Sequence, residues 1–344
     1  MSETPAPRAA SIWDVAKVAG VSHQTVSRVV NNRGRVSAET RVKVMAAIEE
    51  LGYRPNRAAA ALAGGRPRSV TVLTSDTSLY GAAATLKGIE EAARNAGYNV
   101  GISVLDPDAA QTEHDVLGRL ATPEEAVIVI AFDAPGVRAL KALPAGHPSA
   151  AAIEYPGASD DPPPASHVWL DDRAAAYRAT RYLLDLGHHT VHYLAIPSSS
   201  GTSQRAKGWQ DALEDRAVPA PTDAGWSPRS AYLAARPLVA DPDVTAILCG
   251  NDDLALGVLR AAHERGRSVP GDLSVAGFDD APASAFLHPS LTTVRLDFEG
   301  LGKGAFGQLQ RILEPDAPLT PPWAEPELLV RESTGPRRPA HPRE

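Results

Sequence analysis

The chain has one cysteine in 344 residues, and no stretch of it approaches the roughly 18 uninterrupted apolar residues that a membrane-crossing helix needs. One thiol cannot close an intrachain disulfide, so neither a disulfide framework nor a cysteine-based metal site is expected. Cys249 lies in the apolar run TAILCG, where a buried structural thiol is expected. The amino end, MSETPAPRAA, has no apolar segment of the kind a secretory leader requires, so the expected location is the cytosol, with no membrane partner. Also absent are the G-x-x-x-x-G-K-[ST] phosphate loop, the G-x-S-x-G nucleophile elbow and the H-E-x-x-H zinc helix. No catalytic residue, cofactor or metal ligand is therefore assigned. The GHH of residues 187–189 ends the helical pattern RATRYLLDLG, where histidine has a structural use at a helix C-terminus.

With 43% hydrophobic residues, the chain is long enough for two or three separate cores. Its net charge of -7 is unevenly divided. Residues 1–68 carry eleven Lys/Arg against five acidic residues, a net of +6, and the remainder carries a net of -13. Only the amino end is suited to a polyanion.

That basic segment reads as three helices. In IWDVAKVA, residues Ile12, Val15, Ala16 and Ala19 share a face, Ser11 precedes them as an N-cap, and Gly20 ends the helix. Ser22 can cap a second helix whose buried stripe is Val26, Val29 and Val30, which leaves His23, Gln24, Ser27 and Arg28 facing outward. Two short helices joined by A-G-V-S form a helix-turn-helix, whose second helix enters the DNA major groove. Gln can pair with adenine and Arg with O6 and N7 of guanine. Ser11, Ser22, Asn31 and Ser37 suit contacts to the phosphate backbone. A third helix, from Ala38 to about Leu51, closes the unit with Val44, Ala47, Ile48 and Leu51. Beyond it, Asn56 can cap a short alanine-rich helix that has little to bury alone. Its one large apolar side chain, Leu62, fits a minor-groove wedge, although the same composition fits an ordinary linker.

From residue 70 onward, apolar strands alternate with amphipathic helices. VTVLTS, YNVGISVL, EAVIVIAF and SAAAIEY read as strands separated by helices such as 82–96 and 111–121, and HTVHYLAI, TAILCG and LSVAGFD repeat the arrangement after about residue 170. Two such sets imply two doubly wound parallel-sheet subdomains. Ligands in these folds sit at the carboxyl ends of strands, which selects Ser75, Asp76, Asn251 and Asp279. Arg205, at the start of SQRAKGWQ, can offer a guanidinium to two hydroxyls or a carboxylate. Trp226 can stack on a pyranose face, Phe298 can form a second wall, and Glu154 ends SAAAIEY. Taken singly, each also fits a surface or structural residue.

The headpiece text, IWDVAKVAGVSHQTVSRVVNNRGRVSAETRVKVMAAIEELGYRPN, resembles the LacI/GalR family of bacterial transcription regulators. The resemblance continues in PNRAAAALAG, ILCGNDDLALGVLRA, DLSVAGFDD, HPSLTTVRLDFEGLG and LLVREST, covering nearly all of residues 11–334. It implies an all-α helix-turn-helix headpiece joined to an α/β core like the periplasmic binding proteins. It further implies a homodimer on a near-palindromic double-stranded operator, with the two copies of Leu62 prying open a central step, and it adds Thr25, Arg57 and Ala59 to the DNA-contacting set. In the family the arginine before GW, the asparagine of N-D-x-x-A-x-G and the first aspartate of G-[FY]-D-D line the effector cleft; here these are Arg205, Asn251 and Asp279. Trp226 in G-W-S and Phe298 in D-F-x-x-L-G resemble the sugar-responsive branch, which implies a galactoside or related saccharide. Asp76 and Leu296 depart from the lactose-responsive pattern, so the identical ligand is not implied.

The expected layout is a disordered tail at 1–10, the headpiece at 11–55, a hinge helix and linker at 56–68, the core at 69–334 and a flexible tail at 335–344. Within the core, one subdomain takes about 69–166 and 297–322, the other about 167–296 and 323–334. The proline-rich end, LLVRESTGPRRPAHPRE, lacks the heptads of a tetramerising coiled coil, so a dimer is expected. The competing readings are a purine- or nucleoside-responsive regulator of the same family, a sugar-binding transport protein, and a sugar-modifying enzyme with a DNA-binding domain attached.

Overall fold

The computed structural model describes residues 10–30, 36–53, 68–120, 122, 124–156, 163–198, 203–214, 216 and 221–337. Asn31, Asn56, Arg57, Ala59 and Leu62, all of the expected hinge helix and linker at 56–68 except Arg68, and most of both expected tails lie outside the described residues. The chain divides into two compact units, residues 1–67 and 68–344.

In the first unit, α1 (Ile12–Ala19), α2 (His23–Val30) and α3 (Ala38–Glu50) surround Val15, Ala16, Val26, Val29, Val44 and Ala47. Each helix starts where a serine hydroxyl replaces a missing backbone partner. Ser11 and Asp14 form a reciprocal capping box, the Ser22 hydroxyl accepts from the Thr25 N–H at 3.1 Å, and the Ser37 hydroxyl accepts from the Thr40 N–H at 3.2 Å. Gly20, at φ +66°, allows the left-handed turn that ends α1 and redirects the chain into α2.

The second unit contains two sheets with crossover helices. Strands β1 (Ser69–Thr74), β2 (Asn99–Val104), β3 (Ala126–Ala131), β4 (Ser149–Ile153) and β5 (His167–Val168) form an all-parallel sheet in the order β2-β1-β3-β4-β5. Helices α4 (Tyr80–Asn95), α5 (Glu113–Leu117) and α6 (Ala134–Ala142) connect these strands. The second sheet comprises β6 (His192–Ala195), β7 (Thr222–Asp223), β8 (Ala246–Cys249), β9 (Ser274–Asp279), β10 (Thr292–Arg295) and β11 (Glu327–Leu329), in the order β11-β10-β9-β8-β6-β7. Its helices are α7 (Asp172–Asp185), α8 (Gln204–Leu213), α9 (Pro228–Ala240) and α10 (Asp252–Glu264). Cys249 is fully buried at the end of β8.

After β10 the chain returns to the first sheet as α11 (Phe298–Leu313), which packs on α4. That contact depends on absent side chains: a Cβ on Gly302 would lie 2.1 Å from the Thr85 carbonyl oxygen, and one on Gly88 would lie 2.0 Å from that of Glu299. The chain thus passes between the sheets three times, near residues 170, 296 and 325, and the passages are tied together. The Trp323 indole donates to the Trp169 carbonyl at 3.0 Å, and the Asp297 carboxylate accepts from the N–H groups of Gly300 and Ala324 at 2.8 and 2.9 Å.

Several sequence expectations are corrected. The helix expected over 111–121 spans only Glu113–Leu117, because Thr112 and Asp115 form a capping box that starts it and the Gly118 N–H closes it on the His114 carbonyl. The second sheet is not wholly parallel, since β11 runs antiparallel to β10. His188 is structural, but it does not cap its helix: its ring nitrogens lie 2.9 Å from the Thr245 hydroxyl and 3.0 Å from that of Ser274. Residues Gly335 and Arg337 of the expected flexible tail are held, with the Arg337 N–H donating to Leu186 and the Gly335 N–H donating to Ser274.

Candidate functional site

Two surfaces gather the polar residues singled out in the sequence. On the headpiece, Gln24 and Arg28 are exposed, and His23, Thr25 and Ser27 are half-buried on the same short helix. The Thr25 hydroxyl lies 2.9 Å from that of Ser22, so it braces the start of the helix. Ser11, Ser22 and Ser37 each use the hydroxyl as a helix cap.

The second surface is a cavity of about 220 Å³ in the two-sheet unit, lined by residues of both sheets. All eight cleft residues selected from the sequence line it: Ser75, Asp76, Glu154, Arg205, Trp226, Asn251, Asp279 and Phe298. Strand ends and helix starts deliver most of them, as expected where parallel strands give way to crossover loops. Asn251 is both the residue after β8 and the N-cap of α10; its amide oxygen accepts from the Leu254 N–H at 2.8 Å, which directs its NH₂ group to other partners.

Arg205 occupies the polar centre. Its Nε donates to Asp172 at 2.8 Å, one terminal nitrogen donates to Asp279 at 3.2 Å and to the Gly250 carbonyl, and its guanidinium lies 4.3 Å from the centroid of the Phe278 ring. Burial alone would weaken its hold on the proton, but the carboxylates of Asp172 and Asp279 reverse this and raise its pKa. Burial pushes the Asp279 carboxyl up to about 8, with the Arg205 charge pulling the other way. The backbone of Asp279 stands at φ +109°, a conformation that β-carbon sterics disfavour and that is tolerated here only because the surroundings fix it.

Asp252 lies behind this group and is occupied: it accepts from the Ala281 N–H at 2.8 Å and from the Ser284 and Thr293 hydroxyls at 2.6 Å each. Burial raises its carboxyl to about 6 against these hydrogen bonds. On the opposite wall the Ser75 hydroxyl donates to Asp133, which also caps α6 through the Gly136 N–H at 2.9 Å. Asp76 accepts from the Ser78 hydroxyl at 2.6 Å and from the Ser78 and Leu79 N–H groups, and these bonds outweigh burial and lower its pKa. Tyr80, Phe132 and Phe298 form an aromatic wall, with ring centroids 6.1 Å apart for Tyr80–Phe298 and 6.0 Å for Phe132–Phe298. Among the described lining residues Arg205 is the one cation, set against Asp76, Asp133, Glu154, Asp172, Asp252, Asp253 and Asp279.

Neither Asp172 nor Asp133 is marked by a motif. Asp133 follows the strand EAVIVIAF directly, so the strand-end rule extended to that strand identifies it. Asp172 has no such signal, because its role comes from pairing with Arg205, 33 residues away.

A helix-turn-helix unit carried on the same chain as a two-sheet unit with a polar cleft is the layout of a DNA-binding transcriptional regulator. The chain belongs to the LacI family of bacterial regulatory proteins, whose model matches residues 11–56, and a periplasmic binding protein-like domain matches residues 180–334. It is 35% identical to the HTH-type transcriptional regulator DegA of Bacillus subtilis (strain 168), over 95% of this chain and 98% of that protein. It is 32% identical to the lactose operon repressor of Escherichia coli (strain K12), over 94% of this chain and 90% of that one. Among solved structures it is similar to a lac repressor dimer bound to operator and the anti-inducer ONPF, with a TM-score of 0.80, 31% identity, and coverage of 95% of this chain and all of that one. Among the described residues, no helix is long and apolar enough to cross a membrane.

Proposed function

We propose that this chain is a repressor that binds a near-palindromic operator as a homodimer and that a small uncharged sugar in the cleft, a galactoside or related saccharide, controls that binding. The observation that carries this reading is the buried Arg205 group. Its guanidinium is already paired with Asp172 and hydrogen-bonded to Asp279, so the cleft offers a surplus of carboxyl acceptors over cations and no unmatched cation among its described lining residues. A ligand rich in hydroxyl donors with an apolar ring face fits this lining, with Trp226 and Phe298 as surfaces for the ring. A phosphate or carboxylate on the ligand would meet like charge. A purine has fewer donors to offer the carboxylates.

The ligand would act as a bridge. Arg205, Asn251 and Asp279 stand on one sheet's side, and Ser75, Asp76 and Phe298 on the other, so a sugar touching both favours one relative rotation of the lobes. Through residues 56–68 that rotation would withdraw the headpieces from DNA. Coupling of this kind is typically about 1–3 kcal/mol and acts reciprocally, so operator weakens sugar binding by the same factor as sugar weakens operator binding.

The test is thermal unfolding of the full chain with neutral mono- and disaccharides, their phosphate esters and purines, followed by operator titrations with and without the best ligand. A ligand at about 100 times its dissociation constant adds roughly 2.7 kcal/mol of stability. A shift with one neutral sugar class is the expected result. A shift only with purines or only with phosphate esters rejects this reading of the cleft and leaves the DNA-binding one standing. Equal sugar affinity with and without operator rejects the coupling.

A further inference from the structure

Trp13 stands outside the set of residues assigned to DNA contact, yet it is 63% exposed on α1, away from the stripe that carries Val15 and Ala16 into the core. Its indole lies against the imidazole of His23, with ring centroids 4.1 Å apart and planes tilted by 32°. His23 is the first residue of α2, the helix that carries the outward polar residues Gln24 and Arg28. Among the described residues no hydrogen bond holds either ring nitrogen of His23, so the indole is the contact that restrains the ring.

The consequence concerns direction. An imidazole at the end of a helix turns about two side-chain torsions, and χ2 is broad. A base edge, by contrast, is read by hydrogen bonds lying near the plane of the base. Stacking covers one face of the His23 ring and leaves its edge, with Nδ1 and Nε2, free to bond. We propose that Trp13 is a positioning residue for operator recognition: it fixes the plane of His23 so that a ring nitrogen meets one base edge. This rests on the reading of α2 as the groove-reading helix.

The experiment uses the full-length protein. Wild type first selects its operator from random duplexes. It is then titrated, at one fixed salt concentration, against that operator and its single-base-pair substitutions, alongside Trp13→Ala, Trp13→Phe, His23→Ala and the Trp13→Ala/His23→Ala double variant. His23→Ala and Trp13→Ala should lose discrimination at the same base pair, Trp13→Ala by about 2- to 12-fold, the range an aromatic pair supplies. The double variant should lose no more than His23→Ala alone, and Trp13→Phe, which keeps a ring for His23 to stack on, should recover most of the preference. Thermal unfolding checks that each variant folds; Trp13 lies outside the buried core, so the headpiece should survive its removal.

An equal loss of affinity across all sequences for Trp13→Ala overturns the proposal, because Trp13 would then act as a general contact or a structural support. Additive losses at separate base pairs also overturn it, as does a Trp13→Phe variant no better than Trp13→Ala. Failure of the wild type to select any sequence rejects the regulator reading itself, and this inference with it.

Discussion

The headpiece and the cleft use polar side chains in opposite ways. On α2, Gln24 and Arg28 are exposed, and the helix is held by a small core behind it. In the cleft, Arg205, Asn251, Asp252 and Asp279 are all buried, and each already has partners within the protein. A surface that meets a polyanion can leave its donors in water until contact. A pocket that must exist before its ligand arrives has to satisfy its polar groups first, since a buried polar group without a partner is costly. Mutations in α2 should therefore mainly change affinity, whereas mutations in the cleft should change stability as well.

The largest test of that contrast is Arg205→Ala. Removing the cation leaves the half-buried Asp172 carboxylate unmatched and takes from the buried Asp279 carboxyl its Arg205 donor, and breaking such a group typically costs about 3–5 kcal/mol. Urea unfolding of the full chain should show this as an earlier transition; unchanged stability would mean that the cleft is no more self-satisfied than the headpiece surface. The next effect is on pH dependence. Asp279, raised from 3.8 to about 8, keeps in the folded state a proton that the unfolded chain has already lost, so between those values rising pH removes stability. His167, His188 and His192, whose proton affinity burial lowers, act in the other direction below about 6.5, which makes Asp279→Asn the proper reference. Relative to that variant, wild type should lose at most about 1.4 kcal/mol per pH unit from pH 5 to 8. A parallel pair of curves would deny the shift.

The headpiece changes are smaller. Arg28→Ala should cost about 1–3 kcal/mol of operator affinity, concentrated at one base pair if it reads guanine, with the melting curve unmoved. An equal loss on every sequence would assign Arg28 to phosphate. Smallest is Ser11→Ala, which removes the cap of α1 and should lower headpiece stability by about 0.5–2 kcal/mol, measurable by circular dichroism. No loss at all would mean that Asp14 alone secures the helix start.

The same contrast separates the residues whose roles are legible in the sequence from those whose roles are not. The three headpiece helices arise from local signals: Ser11, Ser22 and Ser37 cap them, and the valine stripe gives their buried face. Strand ends point to Ser75, Asn251 and Asp279, because parallel strands deliver the residues after them to one edge. Asp172 is not legible, since its meaning lies in a pairing across 33 residues that no local pattern carries. His188 has a sound local explanation as a helix terminator, and the tertiary structure overrides it with Thr245 and Ser274. Strand β11 escapes because three residues, Glu327–Leu329, show too little alternation to be distinguished from a proline-rich loop.

Asn251 and Asp133 serve two purposes at once, facing the cavity while capping α10 and α6. Each is therefore under two selective demands, and a substitution that altered the ligand would also unseat a helix. The apolar residues of the cavity, among them Trp226, Phe132, Ile153 and Leu301, carry no such second duty as caps. Divergence among descendants of this chain should accordingly begin with changes of wall shape around a fixed set of hydrogen-bonding groups, so that new ligands are acquired by resizing the cavity before its polar chemistry is rewritten.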